Sequence, residues 1–213
     1  MIAIVDYGAG NLGSVDKAFR YIGADVKVTS DPDVVSKADA LVLPGVGAFS
    51  HCMDGLESIG LTRVVKDYIQ SGKPFLGICI GLQMLFDYSE EKGVHNGLGV
   101  LPGKVVKFSF DSIHNPKNVP ERPLKIPHIG WNALEFEKNS SLFEGVREGE
   151  RVYFVHSFHA VPAQETDVIA STEYGYRFSC AVQRENVYAT QFHPEKSGAV
   201  GLRILANFTR LIS

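Results

Sequence analysis

Lys73-Pro74-Phe75-Leu76-Gly77-Ile78-Cys79-Ile80-Gly81-Leu82-Gln83-Met84-Leu85-Phe86 sets the terms for everything around it. An apolar run opened by a proline and too short for a helix passes through Gly77 and Gly81 into residues at helical spacing. It is expected to be a buried strand that turns sharply into a helix. Cys79 falls at the bend. Gly77-x-Cys79-x-Gly81 has the form of a nucleophile elbow with sulfur in place of the serine oxygen, because two glycines let the backbone fold tightly around one strained residue. A thiol at a helix N-terminus also feels the partial positive charge of unpaired N–H groups, which favours the thiolate. The ordinary fate of a free cysteine is to be a small buried hydrophobe, so the chemical interpretation requires a partner base.

The chain has 213 residues, 45% of them hydrophobic, which suits one domain over residues 1–213 burying about 70% of its unfolded surface. A net charge of −3 with interspersed signs argues against a nucleic-acid or anionic-membrane surface. Cys52, Cys79 and Cys180 are odd in number and far apart, which suggests neither a disulfide framework nor a metal knuckle and points to a reducing, cytoplasmic setting. The opening Met1-Ile2-Ala3-Ile4-Val5-Asp6 lacks a basic leader region and is expected to be a strand. No stretch is apolar enough to span a membrane.

From the N-terminus, Ile2 to Val5 and Ala40 to Leu43 are short apolar runs, and Asp25 to Thr29 is a strand with Val26 and Val28 on one face. Helical spacing follows through Val15, Ala18, Phe19 and Ile22. It returns between Leu61 and Ser71, where Gly72 is a plausible C-terminal cap. Asp31-Pro32-Asp33 can start a helix. This alternation predicts an α/β fold: an open, mostly parallel sheet with helices on both faces and a site at the strands' carboxyl ends. Gly8-x-Gly10-x-x-Gly13, with Asp31 beyond it, also satisfies the dinucleotide fingerprint. A dinucleotide-binding module is therefore the reading from another class.

Beyond Glu91 the texture changes. Pro116, Pro120, Pro123 and Pro127 predict a long irregular loop from Ser109 to Pro127, between strands at Val105–Phe108 and Ile129–Phe136. Val152–Val155, Val168–Thr172, Cys180–Gln183 and Val187–Gln191 read as antiparallel additions to the sheet in the C-terminal half. A helix is expected from Gly201 to Leu211.

The base is found in Thr190-Gln191-Phe192-His193-Pro194-Glu195-Lys196. Pro194 disfavours the helical region for His193, and residues two apart in an extended segment project to one side. Glu195 could then hold one imidazole nitrogen. A cysteine activated by a histidine that a carboxylate orients is an acyl-transfer triad. His156 and His159 should point to opposite faces of one strand, which makes a metal site there unfavourable. His51, His95, His114 and His128 occupy loop-like surroundings with no ligand spacing.

These motifs resemble the triad-type (class I) glutamine amidotransferases, whose Gly-x-Cys-x-Gly-x-Gln and His-Pro-Glu signatures match Gly77 to Gln83 and His193 to Glu195. The resemblance covers essentially the whole chain. The blocks Met1 to Leu12, Pro44 to Phe49, Pro127 to Asn132 and Tyr153 to Phe158 look like the branch in which the glutaminase serves a separate ring-closing cyclase subunit in a heterodimer. Other amidotransferases of the class usually lack the Pro-His-Ile-Gly-Trp-Asn block. The resemblance implies glutamine hydrolysis without metal or cofactor, by Cys79, His193 and Glu195. The oxyanion hole would be formed by the N–H of Ile80 and by one from the Gly45 to Gly47 loop, that of Val46. A loop whose N–H faced away would be an off switch. It further implies that Gln83, Glu91 and the Ser157-Phe158 backbone hold the substrate, and that Asn11, Trp131, Tyr153 and Lys196 meet the cyclase. On its own evidence Trp131 could equally belong to the core.

Overall fold

The computed structural model describes residues 1–110 and 124–212. Its elements in order are β1 (Ile2–Val5), α1 (Leu12–Tyr21), β2 (Val26–Thr29), α2 (Pro32–Lys37), β3 (Ala40–Gly45), α3 (Phe49–Ser58), α4 (Leu61–Gln70), β4 (Phe75–Cys79) and α5 (Ile80–Gln83). There follow β5 (Phe86–Ser89), β6 (His95–Asn96), β7 (Leu101–Lys107), β8 (His128–Ala133), β9 (Glu135–Phe136), β10 (Arg151–His156) and β11 (Phe158–Pro162). The last are β12 (Val168–Tyr174), β13 (Tyr176–Arg184), β14 (Val187–Thr190) and α6 (Gly198–Thr209).

The main sheet runs β2-β1-β3-β4-β14-β13-β12-β9. Pairing is parallel from β2 to β14 and antiparallel beyond. The chain leaves β1 for β2 on one side and then returns across β1 to β3, so right-handed crossovers put α1 on one face and the following helices on the other. Accordingly α1 packs with α6, while α2 and α3 pack with α4. Strands β1, β3 and β4 are buried along their whole length, the burial expected of parallel strands covered on both faces. Each has the continuous apolar character that identified it in the sequence.

The structure departs from expectation in three places. The helix after Cys79 has only four residues, because every residue from Phe75 to Phe86 is buried and continuous burial leaves no polar face to mark where helix gives way to strand. Helix α3 has no counterpart among the helices expected from sequence. The second-half strands do not all join the main sheet: β8 and β10 form a separate two-stranded ribbon, and β11-β7-β5-β6 a separate four-stranded sheet. The expected irregular loop falls largely on residues 111–123, outside the described residues, as does His114.

His156 and His159 also differ from expectation. They lie on two different strands, β10 and β11, and both pack against Phe108, with ring centroids 5.2 and 4.8 Å away. The chain leaves one sheet for another at Ser157, so the period-2 rule for a single strand does not apply. His128 is not in a loop but opens β8, buried, with Nδ1 3.0 Å from His156 Nε2.

Close backbone approach fixes the elbow glycines. A Cβ on Gly81 would stand 1.8 Å from the Leu43 carbonyl oxygen, and one on Gly77 would stand 2.7 Å from that of Gly81. Gly81→Ala should therefore destabilise the protein by at least about 2 kcal/mol in urea unfolding. A variant within about 0.5 kcal/mol of the parent would show that the strand–helix contact is not the constraint described.

Candidate active site

The site grows from the pairing of β4 with β14. Ile78 stands opposite Thr190 in a parallel register. The next residues along each strand, Cys79 and Gln191, therefore emerge side by side at the carboxyl edge, with His193 two residues further on. Cys79 adopts φ 56° and ψ −107°, a conformation unusual for a residue with a Cβ and the one an elbow imposes. It is buried, and it shares a cavity of about 460 Å³ with Asn11, Val46, Gly47, Ile80, Gln83, Glu91, Ser157, Phe158, His193 and Lys196. A space of that size suits an amino-acid-sized ligand.

His193 is extended, with φ −99° and ψ 96°, as the following proline requires. Its backbone N–H donates to the Tyr153 carbonyl at 2.9 Å, and Ser197 Oγ donates to its carbonyl at 2.7 Å while accepting from Tyr153 N–H at 2.9 Å. The histidine is thus tied to β10. Glu195 sits in a 3-10 turn, Pro194–Lys196, rather than in the extended segment expected. Its Oε1 nevertheless lies 2.8 Å from His193 Nδ1, and both side chains are buried. Burial pulls the imidazole pKa down, but the neighbouring Cys79 sulfur and the Glu195 carboxylate outweigh it and raise the pKa to about 10. Of the six buried side-chain polar atoms without a hydrogen-bond partner among the described residues, three belong here: Gln83 Oε1, His193 Nε2 and Glu195 Oε2. Gln83 and His193 line the cavity, where an unpaired polar atom is available to a ligand.

Of the expected oxyanion residues, Val46, Gly47 and Ile80 line the cavity. Gly45 lies behind them, paired with Cys79 in the sheet, where a Cβ would come within 2.8 Å of Ile80 Cβ. Glu91 lines the cavity too, and its Oε2 accepts from the N–H of Phe49 at 2.7 Å. It thereby caps α3, whose own N-cap residue, Ala48, has no side-chain acceptor. Gln83 is not solvated: its Nε2 donates to the Phe158 carbonyl and to Gln191 Oε1, each at 3.0 Å. The Ser157 carbonyl is engaged by Phe108 N–H at 3.1 Å.

The residues expected at an interface are split. Asn11 and Lys196 reach the cavity rim. Trp131 is not core: it lies on β8 opposite Tyr153, is 51% exposed and packs edge-on against the Tyr153 ring. Lys196 Nζ lies 5.9 Å from the centre of that ring. Sequence reasoning missed Pro127, Val155, His156 and Gln191 at the site. The first two carry no polar signal, and the others become visible only once the strands are paired. Asp31, the acid of the dinucleotide fingerprint, caps α2 by accepting from Asp33 N–H at 2.9 Å. That local duty accounts for it without a ribose. Among the described residues, no cluster of His, Cys, Asp and Glu could hold a metal ion.

If Glu195 holds the ring protonated, His193 should carry protons on both nitrogens at pH 7.5 in ¹⁵N NMR spectra, losing one only near pH 10. Glu195→Gln should lower that midpoint and cut catalysis about 10²–10⁴-fold. A neutral ring in the parent at pH 7.5 would contradict the electrostatics described.

The model of the family "Glutamine amidotransferase class-I" matches residues 3–211. The chain is 52% identical over 208 residues to "Imidazole glycerol phosphate synthase subunit HisH" of Syntrophotalea carbinolica, covering 98% of each. It is 51% identical over 209 residues to the protein of the same name from Geobacter metallireducens, covering 97% of this chain and 96% of that one. Among solved structures, a glutamine amidotransferase from Thermotoga maritima superposes with a TM-score of 0.63 at 19% identity. That match covers 98% of this chain and 82% of that one, and it bears on the fold alone.

Proposed function

The chain belongs to the class-I glutamine amidotransferase family, and from that premise we propose that residues 1–213 act as one domain, the glutaminase half of an imidazole glycerol phosphate synthase. It hydrolyses the side-chain amide of glutamine to glutamate and ammonia. The ammonia passes to a cyclase subunit that makes imidazole glycerol phosphate and aminoimidazole carboxamide ribotide in histidine biosynthesis. The three buried cysteines are free, which supports a reducing, cytoplasmic setting. Among the described residues no helix is long and apolar enough to cross a membrane.

The observation that carries the catalytic assignment is Cys79 at a positive φ in the same cavity as His193, whose far nitrogen is held by Glu195 at 2.8 Å. In this reading the Cys79 thiolate attacks the amide carbon and the carbonyl electrons move onto oxygen. The resulting oxyanion is met by the N–H of Ile80, one of the first-turn donors a helix leaves unpaired, and by an N–H of the Gly45–Gly47 segment. Collapse breaks the C–N bond as His193 delivers its proton to the leaving ammonia, leaving a γ-glutamyl thioester. Water then attacks the thioester, giving a proton back to His193, and the sulfur leaves as thiolate with glutamate formed. Glu195 keeps Nε2 aimed into the cavity throughout. Gln83 contributes its orphaned Oε1 as an acceptor, and Glu91, by capping α3, holds the segment that follows the oxyanion loop.

The ribbon β8–β10 supports the partner assignment. Ile129 and Trp131, two residues apart on one strand, are 59% and 51% exposed, and Tyr153 and Lys196 continue that surface toward the cavity rim. Tryptophan and tyrosine are enriched among the residues that anchor interfaces.

Two outcomes test these assignments. A glutamine-analogue alkylator should label Cys79 and be blocked by glutamine, whereas labelling at Cys52 or Cys180 instead would reject the catalytic assignment. Trp131→Ala should weaken cyclase binding about 30-fold or more, measured by calorimetry, while leaving the fold intact. Unchanged affinity would move the interface elsewhere.

A further inference from the structure

Gln191 belongs to the same short block as the histidine, yet none of the roles above uses it. It is fully buried. Its Nε2 lies 3.7 Å from Cys79 Sγ, within reach of an N–H···S hydrogen bond, and its Oε1 lies 3.0 Å from Gln83 Nε2. The polarity of this arrangement is forced. The Phe158 carbonyl can only accept, so the Gln83 atom 3.0 Å from it must be the amide nitrogen. The second proton of that nitrogen goes to Gln191, whose facing atom must then be the oxygen. What remains for the sulfur is an N–H donor.

The same carbonyl also accepts from His156 Nδ1 at 2.9 Å. That fixes the His156 tautomer and leaves its Nε2 to accept from His128 Nδ1 at 3.0 Å. A continuous row of buried polar groups thus ends on the nucleophile, and every member has its direction set by one acceptor.

We propose that Gln191 is a catalytic residue: its amide N–H donates to the Cys79 sulfur, favouring the thiolate and aiming it at the substrate, while Gln83 and His156 are positioning residues that hold the amide in this orientation. A donor bonded to the charged form of a group favours that form. The proposal rests on Cys79 being the nucleophile. It also has a corollary for Gln83: both its N–H groups are spent inside the protein, so it can meet substrate only through Oε1.

The test is the pH dependence of Cys79 alkylation by iodoacetamide, followed by mass spectrometry, in the full chain and in Gln191→Leu and Gln191→Glu. In Gln191→Leu the midpoint of the profile should rise by about one pH unit and the rate at pH 7 should fall about 10-fold. The isosteric Gln191→Glu, which puts a carboxylate against the sulfur, should shift it further. In glutamine hydrolysis kcat should fall with KM little changed, as expected when a group acts on the nucleophile rather than on bound substrate. Folded variants with the parent's alkylation profile, within about 0.2 pH units, would overturn the proposal. If neither variant folds, the parent decides. The Gln191 side-chain amide resonance should titrate with the alkylation midpoint, and a resonance unmoved across that range overturns the proposal. A Cys79 that does not alkylate at any pH would overturn the nucleophile assignment and this proposal with it.

Discussion

The parallel pairing of β4 with β14, Phe75 opposite Val187 through Ile78 opposite Thr190, is the constraint from which the site follows. Because side chains alternate along a strand, a slip of one residue would carry the edge residues to the wrong face. The cysteine would then meet Phe192 or Thr190 instead of the polar groups beyond. Register is secured at the far end of the strands. There the hairpin turn between β13 and β14 places Asn186, whose side-chain amide donates to the carbonyls of Ile69 at 2.9 Å and Lys73 at 2.7 Å. The turn is thereby fastened to the end of α4 and the start of β4. The active edge is thus aligned from the opposite edge of the sheet.

Burial gives that alignment its chemical value. Cys79, Gln83, Gln191 and His193 are each at most 3% exposed, so their polar atoms must find one another or a ligand, and an unmade bond is costly there. Most of their donors are satisfied in the row that runs from His128 to the sulfur. Those left over face the cavity. The same burial has opposite effects on the histidines. It pushes His128 down to about 4 and His156 to about 3, keeping them neutral links in the network. For His193 the neighbouring Cys79 sulfur and the Glu195 carboxylate win over desolvation, so that ring is suited to give up and recover a proton.

Much was legible in the residues. The short apolar runs at Ile2, Ala40 and Phe75 marked buried strands, the glycines around Cys79 marked a strand-to-helix elbow, and Pro194 held His193 extended. What stayed hidden was of two kinds. Where every residue is buried, as from Phe75 to Phe86, periodicity vanishes and the length of α5 could not be read. Where the chain changes sheet, as at Ser157, strand rules for neighbouring histidines fail. Trp131 shows the same limit: its composition fits core and surface alike, and only the pairing of β8 with β10 turned it outward.

By itself the sequence determined which groups this chain can bring to chemistry, a thiol at a glycine bend and an imidazole beside a carboxylate, because backbone strain and the restriction before proline are local properties. Tertiary structure alone decided which of those groups touch, and in what polarity. The amide of Gln191 points its nitrogen at Cys79 because a carbonyl at Phe158 has already oriented Gln83, and contacts between residues 75, 108 and 112 positions apart exist only once the strands have found their register.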